Sequence, residues 1–206
     1  MKTYRGYTDT DGTIAGPNGP ILVYEEGRAP YHLRHLIVHS PSGMAWGYGG
    51  SGAADLALAV LADHLGEATV IPAHERYDNA IAERIRGTRA WALHQDFKWR
   101  FIATLDQGWG WAITGEGIGD WLAPLLPEVE REHRERRALD LIGRRVRLDD
   151  GRTGDVLDLE GEGAGEELRL VMIVLGYDAW QRVEPARVVQ DLGQMPDETD
   201  EEDETA

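Results

Sequence analysis

The stretch HSPSGMAWGYGGSG, His39 to Gly52, constrains this chain more than any other, together with the run AADLALAVLADHLG that follows it. Pro41-Ser42-Gly43 is turn chemistry, since proline presets φ and glycine accepts a positive one. The turn joins HLIVHS (His35 to Ser40) to MAWGYG (Met44 to Gly49), and the pair is expected to form a β-hairpin. Pairing Ser40 with Met44 sets Val38 opposite Trp46 and Leu36 opposite Tyr48, which are stabilising aliphatic–aromatic pairs. The same register sets Arg34 opposite Gly50 and His35 opposite Gly49. A glycine loop, Gly49 to Gly52, then leads into a helix expected over Ala53 to Leu65 and closed by Gly66. Ser51 or Gly52 is the expected N-cap, and Asp55 falls in the first turn, where a carboxylate complements the helix dipole. Leu56, Ala59, Val60 and the small residues between them predict a largely buried helix.

The flanking segments complete a first domain over residues 1–127. Thr3 to Tyr7 and Ile21 to Tyr24 read as strands that extend the hairpin into an antiparallel meander. Thr69 to Ile71 is a possible extended piece, and Tyr77, Ile81 and Ile85 give a helical stripe over residues 75–86. Thr88 caps a further helix with Leu93, Phe97, Phe101 and Leu105 on one stripe, widened by Ile102. Trp109 to Ile113 alternates like a strand, and Thr114 opens a short helix with Ile118, Trp121 and Leu122 facing inward. Glu128 to Arg137 has charges of both signs and almost no apolar residue, so residues 128–138 read as a solvated helical linker.

Beyond it, five short strands within residues 139–191 predict a small closed barrel, with Asp149-Asp150-Gly151 as one hairpin turn. Residues 192–206 carry seven acidic side chains and no basic one, so they are expected to be disordered and dispensable for folding. The fold class expected for the whole is α+β: a meander packed by helices, then a small β-barrel and an acidic tail.

Charge and composition narrow the partners. The formal net charge is −16, and residues 1–127 carry 10 basic and 14 acidic side chains. Duplex nucleic acid, which needs a cationic face, is not an expected ligand. A basic protein remains a suitable partner. The chain has no cysteine, no basic-then-apolar leader layout at its start and no apolar run of ~18 residues, so a cytoplasmic location is expected, with no membrane partner.

Several constellations invite chemistry. Gly47-x-Gly49-x-x-Gly52 matches the dinucleotide fingerprint, but its strand lacks the apolar run of a central parallel strand and no second βαβ unit follows. Glu67, the nearest acid at the required distance, lies just past the helix. Gly49-x-Ser51-x-Ala53 brushes against a nucleophile elbow without offering its histidine and acid partners. His35 and His39 on one strand would stand ~13 Å apart, too far for one ion, and no metal or cofactor is expected. What survives is an anion nest of backbone N–H groups at Gly49, Gly50, Ser51 and Gly52, with Arg34 and His35 beside it. The alternative is that the glycines serve only the turn and the helix packing.

The string HSPSGMAWGYGGSGAADLALAVL, with Tyr4-Arg5-Gly6 before it and Asp96-Phe97-Lys98 after it, resembles an uncharacterised family of small proteins carried by bacteriophages, plasmids and integrative elements. The resemblance covers about residues 3 to 125. This chain departs from the family pattern at Met44-Ala45, where a Phe usually precedes the Trp, and at Gly52-Ala53, where Gly-Pro is usual. The second domain, in IGRRVRLDDGRTGDVLDLE and WQRVEPARVV, resembles SH3-like barrels. The first resemblance implies a mobile-element setting and supplies no catalytic residues. The function expected is therefore non-enzymatic, an accessory protein that binds another protein. The alternative is a small enzyme or sensor that holds a phosphorylated molecule at Gly49–Gly52.

Overall fold

Alternation of buried and exposed side chains builds the first sheet. In β1 (Lys2–Gly6) Tyr4 and Gly6 face inward and Arg5 outward, and in β2 (Ile21–Glu25) Ile21 and Val23 face inward. With β3 (Tyr31–His32) and β4 (Trp111–Thr114) they form an antiparallel sheet of order β3-β2-β1-β4. Tyr4 pairs with Val23 on one side and Ile113 on the other, so one face is a continuous apolar strip. The structure, a computed structural model, describes residues 1–8, 19–68, 85–161, 169–174 and 180–194. Thr69 to Ile71, most of the helix expected over 75–86 and residues 195–206 lie outside the described residues. The described chain divides into two compact units, Met1–Val129 and Glu130–Ala206.

Helix α1 (Ser51–His64) is the centre of the first unit, and every residue from Gly52 to Ala62 is buried. A helix apolar on all sides must be enclosed, and α1 packs against α2 (Arg89–Phe97) and the π-helical turn after it, Lys98–Ile102. Its N-cap is Gly50, one residue earlier than expected. Its end is a Schellman motif: Gly66 at φ +73° donates to Asp63 O, and Glu67 donates to Ala62 O. Thr88 caps α2 by accepting from Trp91 N, and Thr114 caps α3 (Gly115–Leu122) by accepting from Gly117 N. Trp46, Tyr4, Leu56, Leu58, Leu61, Phe97, Ile102 and Ile118 are fully enclosed.

The expected hairpin is corrected. Residues 35–40 and 44–49 are not strands; only Tyr31 and His32 pair with β2. The cause is the destination of the backbone donors. Val38, His39 and Ser40 all direct their N–H groups at the Asp55 carboxylate, Ala45 N donates to Gly52 O, and Gly47 N donates to Ile102 O. Those five donors are thus lost to a ladder between the two segments.

Helix α4 (Leu126–Asp140) is longer than the expected linker; Val129 is buried in the first unit's core and Ala138 in the second's. The second unit is a five-stranded antiparallel sheet of β5 (Arg144–Leu148), β6 (Thr153–Glu160), β7 (Arg169–Val174), β8 (Trp180–Val183) and β9 (Val188–Gln194), in the order β8-β7-β6-β5-β9. Its edge strands β8 and β9 do not pair with each other, so the expected closed barrel is corrected to an open sheet. Val146, Leu148, Val156, Met172 and Val183 form its core. Arg145 and Asp155, opposite in register, are joined by a bidentate pair at 2.7 and 2.9 Å. β9 also takes in Leu192, Gly193 and Gln194, three residues that had been expected in the tail.

Candidate functional site

Asp55 is the one charged residue in the enclosed part of α1, with no exposed surface. An unpaired carboxylate there would be prohibitive. Its Oδ1 accepts from His39 N at 2.8 Å, and its Oδ2 accepts from Ser40 N at 3.0 Å, Val38 N at 3.3 Å and His35 Nε2 at 2.9 Å. The side chain expected to complement its own helix dipole instead holds the 35–40 segment. Because a carboxylate only accepts, His35 carries a proton on Nε2.

From His39 a second polar line runs outward. His39 Nε2 lies 3.2 Å from His94 Nε2, and His94 Nδ1 donates to Trp91 O at 2.6 Å. Gln95 Nε2 donates to His94 Nε2 at 2.8 Å, while Gln95 Oε1 accepts from Lys98 Nζ at 2.7 Å. His94 is 3% exposed, and burial pushes its imidazole below the ordinary histidine value. Trp91 stacks on both imidazoles, at 4.6 Å from His94 and 5.5 Å from His39 between ring centroids. Lys98 Nζ sits 4.4 Å over the ring of Trp99.

The line ends at the glycine loop. A Cβ on Gly49 would come within 2.2 Å of Trp99 Cη2, and one on Gly50 would meet Tyr48 Cε2 at 2.2 Å. At these two glycines the aromatic rings therefore approach the backbone more closely than a side chain would allow without their moving. Gly47 holds φ at +78° and accepts from Gln107 Nε2 at 3.2 Å. At this loop two aromatic side chains stand in solvent, Tyr48 (39% exposed) and Trp99 (59%); Trp109 (72%) is exposed on the segment whose Gln107 reaches Gly47 O. The π-turn that carries Trp99 is closed by Ala103 N donating to Lys98 O.

The expected site residues are dispersed by this geometry. Gly49, Gly50, Ser51 and Gly52 do lie together at the start of α1. His35 is engaged with Asp55, and the Arg34 guanidinium donates to Ala68 O at 3.1 Å. Glu67, the acid weighed for a dinucleotide site, caps α2: its carboxylate accepts from the backbone of Arg89 and Ala90 and from Arg89 Nε. Among the described residues no three His, Cys, Asp or Glu side chains are placed to hold a metal. At the opposite end of α1, Asp63 accepts from Lys2 Nζ and from the phenols of Tyr4 and Tyr31. Burial, with the Asp63 charge second, pushes the Tyr4 phenol up. Next to this cluster lies a shallow pocket of about 450 Å³ lined by Met1, Lys2, Glu25, His64, Gly115 and Glu116.

Sequence reasoning did not find the Asp55 cage or the His39–His94 contact. The first had a signal, a lone carboxylate inside eleven otherwise apolar helix residues. The second had none, because 55 residues separate the two histidines.

Residues 4–93 match the model of a family of unknown function, DUF6166. The matched span is shorter than the resemblance read from the motif. It takes in the glycine loop, α1, Asp55 and His39, and it stops short of His94, Trp99, Trp109 and the second unit. No curated protein and no solved structure matches the chain. No helix among the described residues is long and apolar enough to cross a membrane.

Proposed function

We propose that this chain is a non-enzymatic accessory protein of a phage or mobile element, acting in the cytoplasm by binding another protein through the aromatic face around Gly49. The observation that carries the reading is the exposure of Trp99 and Tyr48 at the glycine loop, with Trp109 exposed on the segment whose Gln107 reaches Gly47 O. Each indole buries a large apolar area when covered, and Trp, Tyr and Arg are the residue types that dominate binding energy at interfaces. Both indoles are more than half exposed, whereas Trp46 and Trp111 are buried in the core. The phosphorylated-molecule alternative has weaker support, because Arg34 and His35 are directed at Ala68 O and Asp55 rather than at the loop. The mobile-element setting rests on the motif resemblance.

Photo-crosslinking tests the reading. A crosslinking residue in place of Trp109, in the full chain, should trap one partner from the lysate of the source cell. The same residue in place of Met1, exposed elsewhere on the first unit, should not. Capture of the partner should fall about tenfold or more in Trp99→Ala/Trp109→Ala. Equal capture by wild type and the double variant, both with native melts, rules out the aromatic face.

A further inference from the structure

The Nε2 atoms of His39 and His94 are 3.2 Å apart while the ring centroids are 5.3 Å apart, so the two imidazoles meet end to end rather than face to face. Their protons can be assigned from their partners. Trp91 O only accepts, so His94 carries its proton on Nδ1 and offers a lone pair at Nε2. Lys98 only donates, so it fixes Gln95 Oε1 as the acceptor and turns the amide NH₂ toward that lone pair. His39 must then be the donor, with its proton on Nε2 and its own lone pair on Nδ1.

We propose that the His39–His94 pair is a proton-operated latch between the 35–40 segment and α2, which accepts one added proton intact and opens on the second. The first proton goes to His39 Nδ1, which has no partner among the described residues. The resulting imidazolium still donates from Nε2 to His94, and the bond becomes charge-assisted. The second proton can go only to His94 Nε2. There it faces the N–H of His39 and the NH₂ of Gln95, and three donors with no acceptor cannot stay in contact. The charged groups facing His94 are His39 from the 35–40 segment, Lys98 from the π-turn and Asp55 from α1. His39 and Lys98 oppose a charge on His94, and Asp55 favours one. Burial also lowers His94. Opening frees His39 and Ser40, whose N–H groups are held by Asp55, and uncovers the face of Trp91.

Imidazole ¹⁵N NMR and amide hydrogen exchange on the full chain test this between pH 7.5 and 4.5. At the upper end His94 should be the neutral Nδ1–H tautomer and His39 the Nε2–H tautomer. On acidification His39 should charge first, with the exchange of the His39 and Ser40 amides unchanged after correction for the intrinsic pH dependence. As His94 charges, that exchange should rise about tenfold or more. In His94→Gln the rise should vanish; in His39→Gln the first titration should vanish and the rise remain. An Nε2–H tautomer at His94, His94 charging before His39, or an undiminished rise in His94→Gln would each overturn the latch. The tautomer and order of charging are read on wild type, so they decide the matter even if a variant fails to fold.

Discussion

Asp55 Oδ1 accepts the backbone N–H of His39 at 2.8 Å, and through that bond the central helix dictates the path of a segment sixteen residues before it. The carboxylate gathers three successive N–H groups that would otherwise be buried without partners. Asp55→Ala should therefore destabilise the first unit by about 3 kcal/mol or more, since each orphaned donor costs ~1–3 kcal/mol. Asp55→Asn should be nearly as harmful, because its amide nitrogen would face donors at one of the two oxygen positions. Urea melts measure both, and a loss below ~1 kcal/mol for the alanine variant would show that water or a rearranged loop replaces the cage.

Glu67 occupies the N-terminus of α2 with both carboxylate oxygens, one on Arg89 N and Nε and the other on Ala90 N. Glu67→Gln keeps one acceptor and loses the charge that complements the helix dipole, and should cost about 1 kcal/mol. Glu67→Ala should cost more. The glutamine penalty should shrink in high salt, where the dipole term is screened. Thermal melts at low and high salt check this, and a penalty that does not respond to salt would assign Glu67 a packing role.

Much of the first unit could be read locally, and the failures have a common cause. Thr88, Thr114 and Gly66 announced helix ends because capping needs only neighbours in sequence. The hairpin was misread because a side chain from another element outcompetes the strand ladder for the donors of Val38, His39 and Ser40. The stripe Leu93, Phe97, Phe101, Leu105 faces the core, its last two members only partly buried. The π-turn adds a residue, and Ile102, expected to widen the stripe, is fully enclosed. The same extra residue places Trp99 in solvent against Gly49. In the second unit the strands were legible from turn residues and alternation. Closure was not, because it depends on whether two edge strands distant in sequence meet.

The two units should respond differently to acid. His64 and His94 in the first are held below the ordinary value of 6.5, in each case chiefly by burial. The unfolded chain therefore takes up these protons before the folded one does. The associated stability is complete above about pH 6.5 and is lost as pH falls through the lowered folded values. In the second unit Asp149, Asp150, Glu160 and Asp191 are held below their ordinary values, chiefly by hydrogen bonds from arginines. Their contribution persists until pH falls below about 4, and being exposed they contribute little each. Amide exchange at pH 5 should thus show the first unit loosened and the second at its neutral-pH protection. Loosening of the second unit first would contradict the assignment.

Trp109 is 72% exposed, so Trp109→Ala should leave the melting free energy within about 0.5 kcal/mol. Trp99→Ala removes the ring that packs on Gly49 and lies under Lys98, and should cost about 1 kcal/mol. The ordering of these two losses, read from urea melts, separates a binding surface from a structural one. A loss above ~2 kcal/mol at Trp109 would mean that the indole is needed for folding.

Strand β9 continues to Gln194, with Gly193 opposite Arg145 and Gln194 opposite Arg144. Truncation after Asp191, which the acidic composition of residues 192–206 would suggest to be harmless, removes both pairings. It also removes the Gly193 N–H that donates to Asp191 Oδ1 at 2.9 Å and orients that carboxylate on Arg144 Nε. Asp191 is held below its ordinary value first by Arg144 and next by that N–H, so the two contacts act together. The shortened chain should lose about 1 kcal/mol in the second unit, a few degrees in melting temperature for a domain of this size. A chain ending at Gln194 keeps every one of these contacts and should melt with the full-length protein. Differential scanning calorimetry of the three lengths decides the point. Equal melts for all three would show that β9 contributes nothing beyond Asp191, and a drop confined to the shorter truncation would place the end of the folded sheet at Gln194.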